Sequence, residues 1–158
     1  MSPTQKHTGN HSALPLRRIA REIALQYLFQ LDMCRTAGQK PLDRVFWEQM
    51  TEERPELGDK EWRKVRPQSQ FLIDGVSEHL ADLDDTVVTA AENWRIDRMA
   101  LVDRNILRLA AYEILHRSDV PAPVCINEAI EIAKLYGGDE SSRFINGILD
   151  RIRRNQEP

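Results

Sequence analysis

The stretch from Met99 to about His116 constrains the fold most. Val102, Ile106, Leu107, Leu109, Ala110, Ala111, Ile114 and Leu115 leave its second half almost without a polar side. A helix apolar nearly all round is a central one, covered by other elements on several sides. The rest of the chain supplies helical covers. Ile19, Ile23, Leu25, Tyr27, Leu28 and Leu31 recur at helical steps from Leu16 to about Asp32, and Gly38 and Pro41 end that region. Leu42 to about Met50 is a second, short helix with Val45, Phe46 and Met50 inward.

Thr51 to Pro67 mixes charges with Pro55, Gly58 and Pro67, and reads as a long loop or insertion. Leu72, Val76, Leu80, Leu83, Val87, Ala91 and Trp94 then form one sustained stripe, a helix expected to kink near Asp84 and Asp85. After Ser118 to Pro121, a helix opened by Pro123 carries Ile126, Ala129, Ile130 and Ala133 to a left-handed stop at Gly137 and Gly138. Ser141 or Ser142 caps a last helix with Phe144, Ile145, Ile148, Leu149 and Ile152 inward. No run of β-branched residues alternates with polar ones. The expectation is an all-α fold of six or seven helices.

At 158 residues with 41% hydrophobic content, the chain can bury roughly two thirds of its unfolded surface as one domain. Residues 1–14 read as a disordered tail holding His7 and His11, and 15–158 as the domain, with halves at about 15–80 and 81–154. Cys34 and Cys125 fit neither a zinc spacing nor a disulfide framework, and no apolar run reaches membrane length. A cytoplasmic protein without metal or cofactor is expected.

Catalytic machinery is missing from the pattern: there is no phosphate-binding glycine loop, nucleophile elbow or paired His/Cys ligand set. An enzyme is not expected. His79 and His116 read as structural, as does Glu113, an isolated carboxylate amid the apolar half of the central helix.

Charge is unevenly spread. The net value is −3, yet residues 1–40 hold six Lys/Arg against two Asp/Glu, while residues 41–100 hold eight against fourteen. Arg17, Arg18 and Arg21 open the first helix against its dipole, so helix stability is not the reason for them. Arg17 and Arg21, four apart, share a face, and guanidinium forks so grouped suit phosphate oxygens.

The segments RRIAREIALQYLFQLD at 17–32, RNILRLAAYEILHR at 104–117 and INEAIEIAKLYGGDESSRFINGILD at 126–150 resemble the transcription antitermination factor NusB family. The resemblance implies two packed three-helix bundles that bind the boxA element of ribosomal-operon leader RNA together with ribosomal protein NusE. It also implies a complex on RNA polymerase with NusA and NusG. Arg17, Arg18 and Arg21 match the family's arginine-rich RNA-binding start. Glu140, Ser141, Arg143 and Phe144 match its second RNA-contacting region, where an aromatic ring stacks on an unpaired base. Phe29 and Asp103 match positions that face NusE. The function expected is therefore that of a non-catalytic RNA-binding antitermination factor. Two other readings are the targeting module of a ribosomal-RNA cytosine methyltransferase and a helical protein-interaction module without RNA binding.

Overall fold

The computed structural model describes residues 14–38, 42–92 and 94–158. The tail expected over 1–14, with His7 and His11, lies outside them except for Leu14. Six α-helices account for the described residues: α1 Leu16–Thr36, α2 Asp43–Glu53, α3 Asp59–Glu78, α4 Leu80–Ala90, α5 Leu101–His116 and α6 Ala122–Gln156, with a 3-10 turn at Ile96–Arg98 before α5. No strand occurs among them, and α6 breaks at Gly138, whose φ of 75° and ψ of −164° only glycine adopts readily.

Helix α1 packs on α3, α4 packs on α5 and α6, and α5 packs against α6, α1, α4 and α3. The central position expected for α5 follows from its composition: Ile106, Leu107, Leu109, Ala110 and Ala111 are all buried. They belong to one continuous core with Ile23 and Leu28 of α1, Phe46 and Met50 of α2, Leu72 and Val76 of α3, and Ile145, Leu149 and Ile152 of α6. Tyr112 lies so close over Gly75 of α3 that a Cβ there would fall inside its ring. That contact sets the approach of α3 to α5.

The segment 51–67 is not a long loop. Helix α2 continues to Glu53, the connection is 54–58, and α3 begins at Asp59 and runs through Pro67. Glu61 Oε2 accepts the Gly58 N–H at 3.0 Å, which secures the start of α3. A proline inside a helix costs about 3 kcal/mol. Burying Val65, Leu72, Ile73 and Val76 along the same helix offsets it, at roughly 1.5–3 kcal/mol for each fully buried side chain.

The stripe 72–94 is likewise two helices, and the break falls at His79 rather than at Asp84 and Asp85. His79 (φ −106°, ψ 15°) leaves helical geometry, yet its N–H donates to Gly75 O and its carbonyl accepts from Leu83 N. The apolar period therefore continues across the turn. Asp84 sits inside α4 and accepts two hydrogen bonds from Arg108 at 2.6 and 3.0 Å. Ser142 does not cap the last helical arm, since its hydroxyl donates to Asp139 O at 2.9 Å.

Polar contacts join α1 to α5 toward both ends of α1. Arg21 Nε donates to both oxygens of Glu113 at 3.1 and 2.9 Å, and both residues are buried. Eleven residues further along α1, Asp32 accepts two bonds from Arg104 at 2.6 Å, one from Asn105 at 2.9 Å and one from Arg108 at 3.0 Å. Desolvation pushes the Asp32 carboxyl up, but the bonds from Arg104 and Asn105 and the charges of Arg108 and Arg104 outweigh it. They hold the carboxyl below the usual carboxylate range.

Candidate nucleic-acid interface

The three arginines at the start of α1 occupy three different environments. Arg17 is exposed and forms no ion pair with the described residues. Arg18 is half-buried and binds Glu128 of α6 through Nε at 2.8 Å and Nη2 at 3.0 Å. Those bonds hold the Glu128 carboxyl below its ordinary range against an opposing desolvation. Arg21 points inward to Glu113, whose Oε1 also receives Arg117 Nη1 at 3.4 Å. Glu113 thus has the hydrogen-bonded structural role read from the sequence. Arg17 alone of the three is exposed and without an ion-pair partner among the described residues.

The second region lies after the Gly138 break. Glu140 and Arg143 are exposed, and Arg143 has no ion-pair partner among the described residues. Ser141 is half-buried and lies so close to Gly137 that a Cβ there would collide with it. Phe144 is also half-buried, packed on the core from one side and meeting the ring of Trp94 edge-on at 5.5 Å on the other. Trp94 is 53% exposed. The two rings border a cleft of about 350 Å³ together with Arg143, Arg151 and Glu92, the last with its Oε1 3.7 Å from Arg151 Nη1. Arg151 Nη1 donates to Ala90 O at 2.9 Å and so ties α6 to the end of α4.

Sequence reasoning missed Trp94 as a candidate site residue, treating it as the last member of an inward stripe. The available signal was its place beyond the end of α4, where the chain turns at Glu92 with φ 59°. Among the described residues, no hydrogen bond, ion pair or ring contact joins the arginines of α1 to the 140–144 segment.

Phe29 and Asp103 lie in one neighbourhood. Phe29 is half-buried and lines a second cleft of about 350 Å³ with Met50 of α2, Val102 of α5 and Tyr136 of α6. Asp103, adjacent to Val102, turns its carboxylate toward the end of the first arm of α6, with Oδ1 3.6 Å from where a Cβ on Gly137 would be. Leu135 and Tyr136 on that arm are exposed. An apolar cleft beside a carboxylate suits a protein partner with an apolar anchor and basic neighbours. Among the described residues no group of three or more His, Cys, Asp or Glu is placed to hold a metal ion, and no helix is long and apolar enough to cross a membrane.

The model of the NusB family matches residues 18–154. The chain belongs to the NusB family. A curated relative, the transcription antitermination protein NusB of Anaeromyxobacter sp. (strain Fw109-5), is 43% identical over 142 residues, covering 90% of this chain and 92% of the relative. A solved structure of NusB from T. maritima superposes with a TM-score of 0.74 at 38% identity, covering 90% of this chain and 93% of that one. A structure of the antitermination factors NusB and NusE in complex with double-stranded RNA shares the fold, with a TM-score of 0.71 at 22% identity over 90% of this chain and 98% of that one. The NusB-family match takes in α1 from Arg18 and almost all of α6, and therefore includes both candidate RNA regions apart from Arg17.

Proposed function

We propose that this chain is a non-catalytic, cytoplasmic transcription antitermination factor. It binds the single-stranded boxA element of ribosomal-operon leader RNA together with NusE, and delivers the pair to RNA polymerase carrying NusA and NusG. The observation that carries this reading is the cleft bordered by the rings of Phe144 and Trp94 and by Arg143, an exposed cation with no ion-pair partner among the described residues. Aromatic platforms with adjoining guanidinium groups are the usual means of holding unstacked bases and their phosphates. Family membership and the relatives' shared name of antitermination protein support the same reading.

Within the site, Arg17 and Arg143 contact phosphate, Phe144 and Trp94 stack on bases, and Glu140 and Ser141 shape the entry to the last arm of α6. Arg18 offers the outer edge of its guanidinium. Arg21 acts indirectly, by fixing α1 on α5. Phe29 and Asp103 face NusE.

The test is a titration of a boxA RNA into the chain, alone and with NusE. Tighter RNA binding in the presence of NusE is expected, with Asp103→Lys weakening NusE binding at unchanged helix content. If RNA binds no better than an unrelated single strand and NusE does not bind at all, the reading fails. NusE binding without RNA binding would instead favour a protein-interaction module, a reading to which the internal pairing of Arg18 and Arg21 lends weight.

A further inference from the structure

Helix α3 carries a group of cations that the interface above does not use. Lys60, Arg63, Lys64 and Arg66 fall within two turns, all four are exposed, and none forms an ion pair among the described residues. Elsewhere the chain pairs most of its arginines, including Arg18, Arg21, Arg54, Arg95, Arg104 and Arg108. Cations at the start of a helix oppose its dipole, and Asp59 and Glu61 already serve that end. Helix stability is not the reason for Lys60 in the first turn, and the other three gain no ion pair from their positions among the described residues.

Aromatic rings lie among them. The Arg66 guanidinium sits 4.8 Å from the centre of the Trp47 ring, a cation–π contact that fixes its direction. Trp62, Arg63 and Arg66 line an open cleft of about 760 Å³, with Asp59 as the one carboxylate on its border. The buried indole Nε1–H of Trp62 has no acceptor among the described residues.

The register of α3 on α1 brings this surface to the same end of the molecule as Arg17. Ser69 Oγ donates to Ala20 O at 3.0 Å, while Val76 and Leu28 line one small cavity further on, so the two helices run parallel. Three residues back from that hydrogen bond, Arg66 is level with Arg17. Four exposed cations, the Trp62 ring on the border of the cleft and the shared level with Arg17 fit a single-stranded nucleic acid better than an acidic peptide.

We propose that the start of α3 is a second RNA contact, which takes single-stranded leader RNA running on beyond the segment held at Arg17 and Phe144. This rests on the RNA-binding reading given above. The contact is mainly with phosphates, so it adds affinity and salt dependence without adding base preference.

The test compares a boxA-length RNA with the same RNA carrying about ten added uridines at its 5′ or its 3′ end, a length within the reach of one such surface. Affinities are measured between about 50 and 200 mM salt. One of the extended RNAs is expected to bind wild type more tightly and with a steeper salt slope than the short one. The variant Lys60→Ala/Arg63→Ala/Lys64→Ala/Arg66→Ala should abolish that difference, lowering the slope for the extended RNA by about 2–3 at roughly 0.7 per lost phosphate contact. Its affinity for the short RNA should not change. Alanine at exposed helix positions preserves the helix, and Lys60→Ala/Arg63→Ala/Lys64→Ala leaves Arg66 on Trp47 should the fourth change disturb packing.

Equal binding of short and extended RNAs by wild type, or an unchanged slope in a folded variant, overturns the proposal. So does competition by polyglutamate as effective as that by polyuridine, which would assign the surface to an acidic protein. If the short RNA does not bind while an extended one does, and the variant removes that binding, the α3 contact stands and the boxA reading falls.

Discussion

Arg21 of α1 closes on Glu113 of α5 through two hydrogen bonds at a place where the two side chains keep only 6% and 2% of their accessible surface. Removing one partner of such a buried pair costs about 3–5 kcal/mol, toward the lower end here because Arg117 Nη1 stays 3.4 Å from Glu113 Oε1, whereas an apolar pair of similar volume is often neutral. Arg21→Ala is therefore expected to lower the denaturation midpoint sharply, and Arg21→Met/Glu113→Leu to restore most of it. Urea melts of the two variants check this. Equal stability of Arg21→Ala and wild type would mean that the pair contributes nothing. Any RNA effect of changing Arg21 has to be read after that stability loss.

Arg17 offers the cleaner probe of phosphate contact. Arg17→Ala should leave the urea midpoint where it is and reduce the salt slope of boxA binding by about 0.7. An unchanged slope removes Arg17 from the interface. Arg18→Ala also breaks the Glu128 pair, but with more than a third of the Arg18 side chain in water, the stability cost stays under about 1 kcal/mol.

Phe144 and Trp94 are expected to share one role. Phe144→Ala and Trp94→Ala should each weaken boxA binding by about 1–3 kcal/mol without changing its salt slope, since stacking neutralises no phosphate. Trp94, more than half exposed, should melt close to wild type when truncated, while Phe144 should melt somewhat lower because one side of its ring is in the core. A Phe144→Ala protein that melts far below wild type yet binds RNA equally well would make the ring a packing residue only.

Asp32 gives the fold a pH dependence of known sign. Its carboxyl is held below the ordinary range in the folded chain, so its stabilising contribution is complete above the unfolded value near ~3.9 and is lost as the pH falls through the folded value. The stability gap between wild type and Asp32→Asn is expected to be constant from neutral pH to about 5 and to narrow below about 4. Urea denaturation at a series of pH values measures it. A gap independent of pH down to the acid transition would show that Asp32 is not ionised in the network.

The all-α architecture and the central place of α5 were legible because they depend on apolar spacing alone. Ile106, Leu107 and Ala111 advertise burial in any helix that contains them. The start of α3 was not legible, because Pro55, Gly58 and Pro67 carry the local signals of a loop, while the burial of Val65 and Ser69 against α1 depends on residues forty or more positions away. For the same reason three adjacent arginines read as equals in the sequence. Only the long-range partners Glu113 and Glu128 distinguish an inward Arg21 and a half-held Arg18 from Arg17, which pairs with none of the described residues. Trp94 escaped notice because a period of three and four cannot tell the last buried residue of a helix from the first exposed one beyond it.

The two polar clasps between α1 and α5 lie eleven residues apart on α1, about 16 Å at 1.5 Å per residue. Sliding one helix along the other by a single turn, or rocking it about either clasp, would unseat the carboxylate at one end or the other. The seam between α1 and α5 is therefore a splint and not a joint. A protein bound over Phe29 and a nucleic acid bound over Phe144 would meet a body whose faces keep a fixed separation. Direct contact between such ligands is then a sufficient route to cooperation, with the chain serving as the gauge that sets them at the right distance.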